Sequence, residues 1–325
     1  MINFSVKRYQ ENDYENWNAF IGQAKNATFL FHRDFMEYHN DRFRDYSLIV
    51  LDGEKWVAVL PANVVANEIF SHQGLTYGGL VYNEKIKLAS IIGIFKSILS
   101  FLNDNKIEKL QVKLIPSIYH QKPAEELNYA LFLAEAQLIR RDSLAVIDLS
   151  KNNNLSKLRK RSIQKGFLND FLIKEVTDFD EFWMEILIPN LAKKHQVKPV
   201  HNLQEIIKLK EMFPENIRQF NVYENGVIIA GTTIFESSTV AHCQYISGTE
   251  AKNELGGLDV LFQYLISDVF KNKRFFDFGI SNENQGKNLN NGLSYWKESF
   301  GASTIVQDFY EMETGNYTLL DTVIL

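Results

Sequence analysis

The chain is 325 residues long, 45% hydrophobic and 13% aromatic, with a formal net charge of −5. This composition excludes a disordered chain, and the acidic balance argues against wholesale nucleic-acid binding. The length suits two domains of about 150 residues, each able to bury its own core. Cys243 is the one cysteine, so neither an internal disulfide nor a multi-cysteine metal site is available. Its setting, Ala241-His242-Cys243-Gln244-Tyr245, reads as a strand with a buried, inert thiol rather than a nucleophile. The N-terminus lacks a signal-peptide pattern. The most apolar stretch, 88–102, is too short for a bilayer and is interrupted by Lys96 and Ser97. The expectation is a cytoplasmic protein with no membrane insertion.

In chain order, the pattern of apolar positions and turn residues predicts a strand at 3–9 and helices at 14–24 and 32–39. Two β-rich runs, 46–51 and 56–64, flank the hairpin signal Asp52-Gly53. A strand from Glu68 enters a glycine-rich stretch at 74–79. A helix at 85–103, a strand at 109–115, a helix at 124–134 and a strand at 144–149 close the first half. The order then begins again. A basic helix at 155–166 and a strand at 172–176 precede helices at 179–194 and 203–212. Strands at 218–223 and 227–235 flank Glu224-Asn225-Gly226. A strand at 239–247, the turn Leu255-Gly256-Gly257, a helix at 258–271 and a strand at 275–279 follow.

The runs YSLIVLDGEKWVAVLPANV and IRQFNVYENGVIIAGTTIF are both hairpins with a glycine turn, offset by about 170 residues. Each precedes a strand, a glycine-bearing segment, a helix and a short strand. The expected architecture is therefore a duplicated α/β (α+β) fold, with domains at 1–150 and 151–325. The polar run Lys151-Asn152-Asn153-Asn154 lies at the boundary.

The chain has no Walker A motif, G-x-G-x-x-G fingerprint, H-E-x-x-H pair or G-x-S-x-G elbow. Its seven histidines show no helical ligand spacing, so no metal is expected. Four segments carry possible chemistry. In 71–80, three glycines within six residues let the backbone pass close to either a ligand or a neighbouring strand. There His72 is a candidate acid or base, and Gln73, Tyr77 and Gly78 are candidate substrate contacts. The basic helix has five cations within nine residues, Lys157, Arg159, Lys160, Arg161 and Lys165. They suit phosphates of a nucleotide, coenzyme A or RNA, or simply a solvated helix. Arg161 and Lys165, four apart, share a face and are the substrate-side candidates.

The third segment, 248–258, places Gly248, Gly256 and Gly257 before a helix, whose free N–H groups can meet a pyrophosphate. An ordinary strand-to-helix turn is the other reading, and Glu254 adds an unhelpful negative charge. In the fourth, Asp277 lies among aromatics on a core strand and either orients a catalytic group or serves as a hydrogen-bond hub. Ser281 and Asn282 follow as substrate-side candidates. Lys297 either holds an anionic donor or is an exposed lysine.

The run 222–302 resembles the C-terminal half of the FemAB-like branch of the GNAT acyltransferases. The resemblance rests on Tyr245-Ile246-Ser247-Gly248, Leu255-Gly256-Gly257, Phe276-Asp277-Phe278-Gly279 and the stretch from Gly292-Leu293 through Trp296-Lys297 to Phe300-Gly301. Tyr77-Gly78-Gly79 and the Arg161/Lys165 pair are similar to further motifs of that family. Trp296 stands where the family usually has Phe, and Ser162 where it has Asn.

The resemblance implies two tandem GNAT-like domains, each a mixed, mostly antiparallel sheet flanked by helices. It implies direct acyl or aminoacyl transfer to an amine, with the acceptor held near the cleft between domains and Tyr245 among the substrate contacts. Members that take aminoacyl-tRNA often carry a long helical arm, for which 178–214 is too short. That points to acyl-CoA as donor and to a small-molecule amine, nucleotide-sugar or peptide acceptor of the cell envelope. Aminoacyl-tRNA, or a degenerate binding module, is the alternative. For proton transfer the candidates are His72 and His242, which occupy comparable places in the two halves. His242 alternates with Cys243, so only one of them faces the cleft. Oligomeric state leaves no signal in the sequence.

Overall fold

Pro61 decides where the first unit divides its strands. Proline has no N–H to give to a ladder, so the run expected at 56–64 is two strands. β2 (Leu48–Asp52) turns at Gly53, φ 62°, into β3 (Lys55–Leu60). These join β1 (Ser5–Arg8) and β6 (Val81–Tyr82) in an antiparallel sheet of order β1-β2-β3-β6. Beyond Pro61, β4 (Asn63–Val65) belongs to a second set with β5 (Glu68–Ser71), β7 (Lys109–Lys113) and β16 (Ser303–Glu313).

The computed structural model describes residues 4–151, 154–249 and 256–324. Asn152, Asn153, Glu254 and Leu255, which entered the sequence reading, lie outside them. Packing divides the chain into Met1–Asp142, Asn284–Lys287 and Val306–Leu325 on one side, and Ser143–Glu283 and Asn288–Ile305 on the other.

In the first unit β5 and β7 are parallel, so their connection must cross over. It contains α3 (Leu88–Asp104), which buries Ile91, Phe95, Ile98 and Leu102 on one face. Each such side chain contributes about 1.5–3 kcal/mol of transfer free energy. α4 (Glu126–Leu133), Leu48, Leu110, Met312 and Leu320 complete that core. α1 (Tyr14–Gln23) and α2 (Arg33–Glu37) flank it, and the fully buried Trp17 donates to Phe31 O at 2.8 Å.

The second unit holds Ser143–Asp148 of β8 (Gln137–Asp148), β9 (Phe171–Val176), β10 (Ile217–Glu224), β11 (Val227–Glu236), β12 (Val240–Gly248) and β13 (Phe275–Ile280). Their order is β8-β13-β12-β11-β10-β9, antiparallel except for β12 with β13. Asn225 and Gly226, both at positive φ, make the β10–β11 turn. α5 (Lys157–Gly166) starts at Ser156, whose hydroxyl accepts from Arg159 N. A π-helical segment Glu181–Leu187 runs into α6 (Ile188–His195), and α7 (Leu203–Met212) begins with an Asn202/Glu205 capping box. α8 (Gly257–Tyr264) lies in the β12–β13 crossover and continues as the π-helical Leu265–Val269. A small ribbon, β14 (Asn282–Glu283) with β15 (Asn288–Leu289), leads to α9 (Asn291–Glu298).

Each unit thus has a glycine-turn hairpin followed by a parallel strand pair with a helix in its crossover, the order read from the sequence. The strand expected to close the first half does not do so. Leu144–Asp148 pairs with β13, and Ala145 and Ile147 enter the second unit's core. β16 was not expected, because its burial hardly alternates. From Val306 onward the chain packs with the first unit, so the packing units are not the uninterrupted stretches 1–150 and 151–325.

The glycines at 78 and 79 meet a neighbouring strand. Gly78 N donates to Lys113 O at 2.9 Å and Gly79 N to Ser71 O at 3.2 Å. A Cβ on Gly78 would lie 1.4 Å from Ser71 O. Gly78→Ala is therefore expected to lower stability by at least about 3 kcal/mol or prevent folding. Gly22→Ala, in α1 with nothing within 4 Å of the added methyl, is expected to be neutral or stabilising by up to about 1 kcal/mol. Urea melts of both variants against the wild type check this.

Candidate functional site

Asp277 is fully buried on β13 between Phe276 and Phe278, which turn into the aromatic core with Phe262 and Phe300. Its carboxylate must find donors there. Oδ1 accepts from Gly279 N at 2.7 Å, and Oδ2 lies 2.9 Å from His242 Nδ1. An ionised Asp277 requires the proton on Nδ1, which leaves Nε2 as the basic nitrogen of His242. The two residues face each other on the last rung of the parallel pair, after Val240↔Phe275 and Ala241↔Phe276. Beyond it β12 continues to Gly248 against β11 alone, with Gln244 as a bulged residue between Cys243 and Tyr245.

Gly279, at φ 72°, turns β13 away. Lys297, almost fully buried on α9, donates to Gly279 O at 3.0 Å and Ile280 O at 2.6 Å. Burial pushes its ammonium down to about 8, an effect that Asp277 partly offsets. Lys297 is therefore neither the exposed lysine nor the outward-reaching anion holder of the sequence reading. The Cys243 thiol is pushed well up by burial and by Asp277, which fits the inert reading.

Several polar atoms near these strands are buried without a hydrogen-bond partner among the described residues: Ser281 Oγ, Gln244 Oε1 and Trp183 Nε1. Each orphan costs about 1–3 kcal/mol unless a ligand or water satisfies it. The other substrate-side candidates have structural partners. Asn282 Oδ1 accepts from Ser143 N and Oγ at 2.6 and 2.8 Å. Gly248 O accepts from Asn190 at 2.9 Å. The Tyr245 hydroxyl lies 2.7 Å from His201 Nδ1 and accepts from His201 N at 3.1 Å. Burial raises it to about 12.

His72 differs from His242. Its Nδ1 accepts from Gly74 N at 3.1 Å, and its ring stacks on His39 at 5.4 Å between centroids. Burial, with His39, Arg33 and Lys113 adding, pushes it down to about 3. A neutral ring whose lone pair is committed to the backbone is ill suited as a base. Gln73 is tied to Asn63 through both side chain and backbone. Tyr77 is buried, donates to Thr28 Oγ1 at 2.9 Å and tilts on Tyr119.

The basic helix is split by burial. Arg159 shares the inner face with Ile163 and Gly166, a 4-and-3 spacing that the sequence already displays. Arg159 bonds Asp259 and Ser299 Oγ and lies over Phe300. Asp259 also takes Ser162 Oγ and, at 3.3 Å, Trp296 Nε1. Trp296 thus supplies a donor that the family's usual Phe lacks. Arg161 and Lys165 are exposed. The glycines at the start of α8 have packing reasons. A Cβ on Gly166 would lie 2.9 Å from Gly256 O, and one on Gly257 2.9 Å from Ile229 Cδ1. The first turn of α8 already carries the Asp259 carboxylate.

Asn63, His39, His201, Trp183 and Asp259, the acid that pairs with Arg159, were not singled out as site residues in the sequence. Only the inner-face position of Arg159 had a sequence signal. Among the described residues no group of three or more His, Cys, Asp or Glu is placed to hold a metal. None of the described helices is long and apolar enough to cross a membrane.

No protein-family model and no curated protein matches the chain. Solved structures do. FemX is 8% identical, with 94% of this chain and 96% of that one covered at a TM-score of 0.67. The C-terminal domain of a putative lysylphosphatidylglycerol synthetase from Agrobacterium fabrum is 10% identical, with coverages of 95% and 93% and a TM-score of 0.61. A tandem GNAT protein from the clavulanic acid biosynthesis pathway is 12% identical, with coverages of 96% and 99% and a TM-score of 0.54. The chain has the FemAB-like fold of two GNAT-like domains.

The depressed His72 has a consequence for acid stability. The unfolded chain takes up this proton near 6.5 and the folded chain only near 3. Its effect is absent above about 6.5, and stability falls as pH drops from there toward 3, by about 1.4 kcal/mol per pH unit. His120, held down to about 4 by burial, adds in the same direction. His72→Asn, which preserves an acceptor for Gly74 N, is expected to lower the slope of stability against pH between 6 and 4.5 by about one proton. Urea melts across that range measure it.

Proposed function

We propose that the protein is an N-acyltransferase that moves an acyl group from acyl-CoA to an amine, such as an amino sugar or another cell-envelope precursor. The observation that carries this reading is the His242–Asp277 pair on the last rung before β12 and β13 part. In this reading the amine attacks the thioester carbonyl and His242 Nε2 accepts its proton directly or through water; the tetrahedral intermediate then collapses with cleavage of the C–S bond, and the leaving coenzyme A thiolate takes a proton from the His242 imidazolium or from water. Asp277 holds the ring and stabilises the imidazolium. The edge of β12 beyond His242 has no β13 partner, and its backbone offers N–H groups to the developing oxyanion. Lys297 acts as a positioning residue, fixing the turn at Gly279 and Ile280 that parts the strands. Ser281 Oγ and Gln244 Oε1 are among the polar atoms available to contact acceptor or donor.

The fold shared over the full length with a tandem GNAT protein of the clavulanic acid biosynthesis pathway supports acyl-CoA as the donor. Aminoacyl-tRNA is the second reading of the donor, motivated by the cation-rich helix α5. The Gly256-Gly257 turn is a weaker donor site than the sequence suggested, because Asp259 places a carboxylate in that first helical turn.

The test measures thiol release from acetyl-CoA and longer acyl-CoAs with a panel of amino sugars and amines, alongside transfer from charged tRNA. Thiol release is expected, with kcat/KM for His242→Asn, whose side-chain amide can still donate to Asp277 but cannot act as a base, reduced roughly 10²–10⁴-fold; thermal melting checks that this variant is folded. Transfer from tRNA alone would select the second donor. An unchanged rate in folded His242→Asn, or no transfer from any donor, would sink the assignment.

A further inference from the structure

The outward side of α5 is unlike the rest of this acidic chain. With Arg159, Ile163 and Gly166 turned inward, two ridges face out: Lys157-Lys160-Gln164-Phe167 and Leu158-Arg161-Lys165-Leu168. Leu158, Phe167 and Leu168 are 57%, 63% and 87% exposed. The four cations are exposed and have no ion-pair partner among the described residues. Asp170 is the one acid from 157 to 172. The apolar pair is also held in place. Phe167 N donates to Ile163 O at 3.0 Å and Leu168 N to Lys165 O at 3.1 Å, which caps the helix and places both residues at its outer end.

We propose that this face is a docking surface for an anionic lipid bilayer. Singly exposed leucines need no explanation, but three large apolar side chains around four unpaired cations match what a headgroup layer offers. Anionic headgroups neutralise the cations, and the acyl boundary takes up Phe167 and Leu168. A nucleic-acid backbone would use the cations and leave Leu158 and Leu168 in water. The net charge of −5 opposes approach by any other route, so the attraction is local and falls with salt. One ten-residue helix gives reversible, peripheral binding rather than insertion. The inference stands apart from the acyl-transfer reading, since no residue of the His242 site takes part.

Co-sedimentation of the full chain with vesicles tests it. Binding is expected to equimolar phosphatidylcholine–phosphatidylglycerol and not to phosphatidylcholine alone, and to weaken as salt rises. The doubles Phe167→Ser/Leu168→Ser and Lys157→Gln/Lys160→Gln are each expected to weaken binding roughly tenfold or more. All four side chains are exposed, so both variants should melt like the wild type. Equal binding to neutral vesicles, no binding at all, or wild-type binding by the Phe167/Leu168 double overturns the proposal. Binding of tRNA through these cations without binding of vesicles also overturns it and gives the face to RNA.

Discussion

A buried carboxylate organises the second unit. Asp277 has no contact with solvent, and leaving it unsatisfied would cost several kcal/mol, roughly. Two demands follow. One oxygen takes His242 from the neighbouring strand; the other takes the N–H two residues on, at Gly279. The second bond requires β13 to curl, which the positive φ of Gly279 permits. Curling removes β13 from β12 and frees the carbonyls of Gly279 and Ile280. Those carbonyls are gathered by Lys297, whose helix is capped by Asn290. The parting of the strands, the orientation of His242 and the burial of a lysine are thus linked consequences of one acid in an aromatic strand.

The first unit meets the same topological point with different chemistry. Its parallel pair also ends, at Ser71↔Val112. There the chain returns through Gly78 and Gly79 and bonds to both strand ends, so its own backbone takes up their hydrogen-bonding groups. The histidine that follows β5, His72, is spent on the loop that makes this return. Two units with one order of elements therefore reach opposite outcomes, and the difference lies in glycines that admit a backbone. This contrast supports assigning the proposed chemistry to the second unit.

The sequence was informative where periodicity and turn chemistry are local. The two hairpins, the crossover helices and their offset could be read directly, because glycine turns and alternating faces leave strong marks. Long-range pairing was not legible. Nothing in Leu144–Asp148 says that it pairs with β13, and nothing in β16 reveals a strand whose two faces are similarly buried. Site residues divide in the same way. Asp277 announced itself as a polar residue among aromatics, and its histidine partner was named independently. His72 looked equivalent because a sequence does not show which lone pair is committed or how deeply a ring is buried. Lys297 was misjudged for a related reason. A lysine on a helix is ordinarily solvated, and its partners here are backbone carbonyls that no composition records.

The cation-rich helix shows how burial sorts a charge cluster into separate tasks. Arg159 lies on the apolar ridge with Ile163 and Gly166, and its guanidinium is neutralised by Asp259 in the first turn of α8. That acid occupies the helix start, where a free positive end would otherwise attract a diphosphate. It also takes the indole of Trp296 and the hydroxyl of Ser162, the two positions where the chain departs from the family pattern. Both side chains donate to one carboxylate, which thereby links α5, α8 and α9. A donor diphosphate bound at this turn would compete with Asp259. In the acyl-transfer proposal the donor therefore lies along the edge of β12 that β13 leaves, with the remaining cations of α5 facing outward and available to a different partner.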